Sequence, residues 1–157
     1  LSVKIDSVCF NNIYTSGDIQ LSYNTESANI LWSNLSSIKD INLSIKDQTL
    51  QNNELSTTFT PLLANNKALF MIPQPLAERG SGQAYPSLSI NYSIHNNITD
   101  TTNSYTYTYS LAQMSKNWIS GQALNFRISY SGGQNPISLI LVDPGSENIE
   151  DLGEPIS

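Results

Sequence analysis

Tyr105-Thr106-Tyr107-Thr108-Tyr109-Ser110-Leu111 alternates large and small polar-topped residues without a slip. Successive strand side chains point to opposite faces of a sheet, so the run reads as a β-strand with one aromatic and one hydroxyl face. The same period of two recurs at Leu88-Ser89-Ile90-Asn91-Tyr92-Ser93-Ile94 and at Leu124-Asn125-Phe126-Arg127-Ile128-Ser129-Tyr130. Shorter versions lie at Ile19-Gln20-Leu21-Ser22-Tyr23 and Ile41-Asn42-Leu43-Ser44-Ile45. Val3-Lys4-Ile5 starts another strand, whose phase changes before Val8 and Phe10; a β-bulge accounts for the slip.

Two runs are apolar on both faces, Ala68 to Ile72 and Ile137 to Val142. Both read as central or doubly covered strands. Pro73 and Pro75 end the first and Pro144 the second, because proline has no N–H to give a ladder. Turn signals separate the runs. Ser16-Gly17-Asp18 is expected to link the first two strands, Gly80-Ser81-Gly82 to open a loop, His95 to Ser104 to form a hairpin loop, and Ser131 to Pro136 to join the last two strands. Glu26 to Asp40 partly fits a helical period through Ile30, Leu31, Trp32, Leu35 and Ile38, and reads either as a short helix or as an irregular crossover. About eight evenly spaced strands predict an all-β chain built as a two-sheet β-sandwich, in preference to a βαβ fold.

The 157 residues fit one domain with a core large enough to need no disulfide staple. Charged residues are only 13%, about half the usual ~25%, so solubility must rest on Ser, Thr, Asn and Gln. The net charge of −6 is concentrated at one end: Asp143, Glu147, Glu150, Asp151 and Glu154 crowd residues 143–157, which hold no Lys or Arg. Residues 1–142 form the predicted sandwich, and 143–157 an acidic tail, disordered or ordered by a partner. No basic patch is present, which argues against nucleic acid or an anionic membrane surface as partner. No stretch approaches the ~20 apolar residues of a membrane span, so no membrane insertion of this domain is expected. No secretory leader is visible and Leu1 is not an initiator Met, so a processed or excised chain is expected.

Catalytic equipment is sparse. The lone Cys9 sits between Val8 and Phe10 and reads as a buried small hydrophobe. The lone His95 closes a predicted strand beside a polar loop and cannot build a multi-histidine metal centre. Asp6, Asp18, Asp40, Asp47, Glu54, Glu78 and Asp100 are dispersed singly, where a glycosidase needs a paired acid and base. There is no nucleophile elbow, phosphate loop, dinucleotide fingerprint or calcium loop. The reading is of a non-enzyme with no catalytic, cofactor-binding or metal residues and no cofactor. The row Tyr105, Tyr107, Tyr109 is expected on an inner face against the second sheet; stacking of sugars is its other reading. Trp32 and Trp118 read as core or rim anchors.

Three stretches, taken in order, resemble the fimbrillin family of Bacteroidetes surface proteins, the Mfa1-like and fimbrillin-like groups. They are Ser7-Val8-Cys9-Phe10-Asn11-Asn12-Ile13-Tyr14-Thr15-Ser16-Gly17, then Ala68-Leu69-Phe70-Met71-Ile72-Pro73-Gln74-Pro75-Leu76, then Trp118-Ile119-Ser120-Gly121-Gln122-Ala123-Leu124-Asn125-Phe126-Arg127-Ile128. They cover about 120 residues and look like parts of the family's second, C-terminal domain. The resemblance implies a transthyretin-like Greek-key sandwich of about 7–8 strands. It implies export as a lipoprotein precursor to the cell surface and outer membrane, and a structural or adhesive role in a pilus or fimbria. Partners would be other pilus subunits, joined by β-strand exchange, and a host or bacterial surface protein or glycan. Pro73 would end a strand, Trp118 would pack, and Gly121 would permit a turn. The alternative function is a non-polymerising surface module that binds polysaccharide or protein. After Val142 the aliphatic Ile149, Leu152 and Ile156 lack a strand period, so the better donor-like run is Ile137 to Val142.

Overall fold

Aromatic and branched residues at every second position suit a pleated, half-buried surface, and the segments that alternate most cleanly all form strands. The computed structural model of the chain describes residues 1–47, 49–51, 60–113, 117–131, 137–142 and 149–151. Among these, eight strands occur: β1 (Ser2–Tyr23), β2 (Ala28–Asn42), β3 (Thr49–Gln51), β4 (Ser87–Asn96), β5 (Thr101–Ser110), β6 (Asn125–Tyr130), β7 (Ile137–Val142) and β8 (Ile149–Asp151). Helical backbone among the described residues is confined to two 3-10 turns, Ala64–Asn66 and Leu111–Gln113. The chain is all-β.

The strands lie in two antiparallel sheets. One runs in the order β2-β1-β4-β5, with β3 also paired to β1; the other runs β6-β7-β8. Residues of both sheets meet in one core. Val8, Phe10 and Ile13 of β1, Leu88, Ile90 and Tyr92 of β4, and Tyr109 of β5 pack with Ile137 and Leu139 of β7. Phe10 meets Phe126 of β6 edge-to-face at 5.4 Å between ring centroids. The Tyr109 hydroxyl donates to the Ile137 carbonyl at 2.8 Å, tying the two sheets. β7 is the central strand of its sheet, as its two-sided apolarity indicated, and β8, drawn from the acidic C-terminal stretch, pairs with Ile140 to Val142.

β1 keeps one face apolar over 22 residues by means of two bulges. The register shifts between Ile5 and Ser7, which is the slip legible in the sequence. It shifts again between Phe10 and Ile13, where Asn12 takes φ 58°. Asn tolerates this left-handed conformation better than other non-glycine residues. Each bulge resets the alternation, so Val3, Ile5, Val8, Phe10 and Ile13 all turn toward the core despite their uneven spacing.

Four expectations are corrected. Glu26 to Asp40 is neither helix nor irregular crossover; most of it is β2. Its near-helical spacing of apolar residues comes from a bulge at Asn34 (φ 50°), with Ser37 (φ 57°) also left-handed. Ser16-Gly17-Asp18 is not a turn: β1 runs through it to Tyr23, because β2 supplies a ladder on the far side of the Asn34 bulge. Gly17 is needed there for close approach, since a Cβ would lie 2.8 Å from Leu35 Cδ2 and 3.2 Å from the Ser33 carbonyl. Ala68 to Ile72 is not a strand, and Phe70 is 93% exposed. Apolarity makes a strand only where an edge offers a ladder; here backbone pairing falls on either side, at Lys67 with Ala64 and at Gln74 with Trp118. The hairpin loop after His95 is shorter than expected. β4 and β5 pair to Asn96↔Thr101, leaving a four-residue turn, 97–100, closed by Asp100 at φ 54°.

Candidate functional site

The groups that carry chemistry are scattered. His95 Nδ1 lies 3.0 Å from Thr102 Oγ1, and its Nε2 lies 3.7 Å from Asp100, at the exposed end of the β4–β5 hairpin. Asp6 accepts from Ser93 Oγ at 3.2 Å, Asp18 from Asn34 Nδ2 at 2.8 Å and Asp40 from the Asn12 N–H at 3.0 Å, while Asp47 pairs with Lys4 at 3.1 Å. Asp18 and Asp40 have partners along β1 and β2, whereas Asp6 and Asp47 meet neighbouring residues, since Lys4 lies directly opposite Ser93. Glu54 lies outside the described residues. No group of three or more His, Cys, Asp or Glu that could hold a metal occurs among the described residues, and no described helix is long and apolar enough to cross a membrane.

Cys9 is half-buried. Burial pushes its thiol above the ordinary range, with Asp40 adding to the effect. The thiolate is the reactive form, so iodoacetamide near pH 8 is expected to modify Cys9 several-fold more slowly in the native chain than in urea. Equal rates would show an open, ordinary thiol.

The tyrosine row descends from solvent into the core. Tyr105 is exposed, Tyr107 half-buried and Tyr109 fully buried. Tyr92 on β4 ties the row together, stacked on Tyr105 at 5.3 Å and edge-on to Tyr107 at 5.6 Å. Burial holds the Tyr92 phenol well above its usual range, helped by its hydrogen bond to Tyr107. The unfolded chain releases that proton near pH 10 while the folded chain keeps it, so stability is full below about pH 10 and is lost as pH rises further. The melting temperature is expected to fall between about pH 9 and 11, less steeply in Tyr92→Phe. An unchanged slope in that variant would assign the loss to other groups.

The opposite face of β1, β4 and β5 is polar, with its charges at the Lys4–Ser93 end, where Asp6 and Asp47 also lie. Asn11 Nδ2 reaches Ser87 (3.1 Å) and Ser89 (2.8 Å), and Ser89 meets Thr108 at 2.9 Å. Asn91 bridges Ser7 (2.7 Å) and Thr106 (2.7 Å). These cross-strand amide and hydroxyl pairs replace the surface charges that the composition lacks.

This network leads to β5, which ends its sheet. β4 and β5 pair over ten successive residues with no register shift. Among the described residues no strand pairs with the outer edge of β5. Its sequence, Thr101 to Ser110, holds no charge and no proline. β2, at the other end, carries Lys39 and Asp40 and is broken by left-handed Asn34 and Ser37. Charges and bulges are how sheets guard their edges; a long, regular, uncharged edge is a template for another strand.

A second feature joins distant parts of the chain. β4 leaves β1 after Asn11↔Ser87. Beyond that point the buried Gln74 side chain takes over the vacated edge. Its Oε1 accepts the Tyr14 N–H at 3.0 Å, and its Nε2 donates to the Tyr14 carbonyl at 3.2 Å and to Ile72 O at 3.0 Å. The Gln74 backbone pairs with Trp118 through bonds of 2.9 and 3.2 Å, and Trp118 packs edge-on to Phe10 at 5.7 Å. Arg79 donates to Gln74 Oε1 at 3.2 Å and to the Asn12 carbonyl at 3.1 Å, its guanidinium 4.3 Å from the Tyr14 ring centre. The sequence marked Trp118 as an anchor. It gave no sign that Tyr14, Gln74 and Trp118 meet, because that contact joins residues 44 to 60 positions apart.

No protein-family model, curated protein or solved structure matches the chain.

Proposed function

We propose that the chain is a structural or adhesive subunit of a bacterial cell-surface pilus or fimbria that assembles by β-strand exchange. The regular, uncharged edge of β5, with which no described strand pairs, carries this reading, because strand addition draws its affinity from backbone N–H and C=O groups along a sheet edge and its specificity from alternate side chains. The meeting of the three fimbrillin-like stretches at Gln74 is in keeping with it. On this reading the two sheets form a transthyretin-like Greek-key sandwich, and the protein reaches the outer-membrane surface as a lipoprotein precursor. A second reading, a non-polymerising surface module for polysaccharide or protein, is favoured by Tyr105, whose stacked ring stands 42% exposed at the open end of the tyrosine row.

Successive N–H groups of a strand point to alternate sides, so of Asn103→Pro and Ser104→Pro one removes a bond to β4 and the other an N–H at the open edge. The complete reading frame would be expressed in its native host and surface extracts run unheated on a denaturing gel. A ladder of heat-sensitive multimers is expected. The proline variant that keeps the wild-type melting temperature is expected to lose the ladder. A ladder that survives in that variant would remove β5 from assembly, and a single monomer band in the wild type would favour the binding module, with a glycan array to follow.

A further inference from the structure

We infer that the β1–β2 hairpin is a dimerisation arm, whose apolar face stacks on the same face of a second copy of this chain. Past Ser16 the ladder of β1 is to β2 alone, up to a turn in which Asn24 Oδ1 accepts from the Glu26 N–H (3.0 Å) and the Ser27 N–H (2.6 Å). The rungs of this arm are Ile19↔Trp32, Leu21↔Ile30 and Tyr23↔Ala28, alternating with Asp18↔Ser33, Gln20↔Leu31 and Ser22↔Asn29. Residues directly opposite share a face. One face of the arm is therefore wholly apolar, and the other is polar except for Leu31.

The apolar face is the continuation of the core. β1 has no register bulge of its own after Asn12, so Ile19, Leu21 and Tyr23 turn the same way as buried Ile13. Near Ile13 that face is covered by the packed core; along the arm it is bare. Ile19 is 54% exposed, Leu21 59%, Tyr23 78% and Ile30 52%. A two-stranded ribbon with one uncovered apolar face is marginal by itself, and sheets resolve this by stacking a second layer about 10 Å away.

The occupant follows from charge and area. The face holds no charged group, so under a two-fold rotation apolar rungs meet apolar rungs and nothing repels, as an isologous contact requires. At roughly 200 Å² for a fully exposed large side chain, those four residues open about 500 Å², the size of the largest apolar patch on an ordinary monomer. Two such faces together bury about 1,000 Å², the threshold of a specific interface. The arm and β5 lie at opposite ends of the sheet order, so this inference goes beyond the strand-addition reading.

Sedimentation equilibrium of the purified 157-residue chain tests it. The wild type is expected to dimerise in the micromolar range. Leu21→Lys combined with Ile30→Glu puts opposite charges across one rung, which preserves the arm while ending its apolarity, and is expected to weaken dimerisation by about 100-fold or more. Ser22→Lys combined with Asn29→Glu changes the other face and is expected to leave the dimer intact, as is the proline variant of β5. Melting temperatures confirm that each variant folds. A wild type that stays monomeric at hundreds of micromolar overturns the proposal. So does an apolar-face variant that dimerises like the wild type, or a polar-face variant that disrupts as strongly.

Discussion

Tyr109→Ala is expected to lower stability by about 4 kcal/mol, the range for emptying a buried aromatic site. At 2–4 °C per kcal/mol for a chain of this size, the melting temperature should drop by roughly 8–16 °C. Tyr109 is fully buried on β5, packs in the core shared by both sheets, and bonds the Ile137 carbonyl across to β7. Two terms therefore combine, lost packing and a stranded carbonyl. Tyr109→Phe separates them: it keeps the ring and loses only the hydroxyl, which should cost about 1–2 kcal/mol. Thermal denaturation of the two variants side by side checks the partition. Equal losses would mean that the hydrogen bond, rather than the buried ring, dominates at this position.

Gln74→Ala is expected to cost about 2–4 kcal/mol, more than truncation of a polar side chain ordinarily does. Gln74 is only 2% exposed, and its amide acts as a rung of the ladder where β4 departs. Removing it leaves the Tyr14 N–H and C=O without that partner and frees Arg79 Nη2 from one of its two acceptors. Gln74→Glu sharpens the test. A carboxylate still accepts from Tyr14 and Arg79 but has no N–H for the carbonyls of Tyr14 and Ile72. A loss in Gln74→Glu close to that of Gln74→Ala would show that the donated bonds matter most. A much smaller loss would put the weight on the accepted ones. A change below about 0.5 kcal/mol in Gln74→Ala would mean that water replaces the amide and that the edge is open to solvent.

The period of two was enough to place β4, β5 and β6, because each carries its own apolar face in an unbroken alternation, and two-sided apolarity placed β7. It also revealed the phase slip at Ile5 to Val8. The same rule failed at β2, where the bulge at Asn34 turned a strand pattern into one that resembles a helix. It failed again at Ala68 to Ile72, whose apolar side chains imitate a central strand although no ladder reaches them. At Ser16-Gly17-Asp18 the turn-forming residues are real, but Gly17 serves close packing against Leu35 instead of reversing the chain.

By itself the sequence determined the all-β class, the two-sided apolarity of β7 and the scarcity of charge. These follow from residue type and local spacing, which report which side of a segment prefers to be dry. The tertiary structure alone decided which strands end each sheet among the described residues, where the apolar face of β1 outruns its cover, and that Tyr14, Gln74 and Trp118 share one site. Those outcomes depend on pairings between residues dozens of positions apart, and local alternation carries no information about which distant edge a strand will meet.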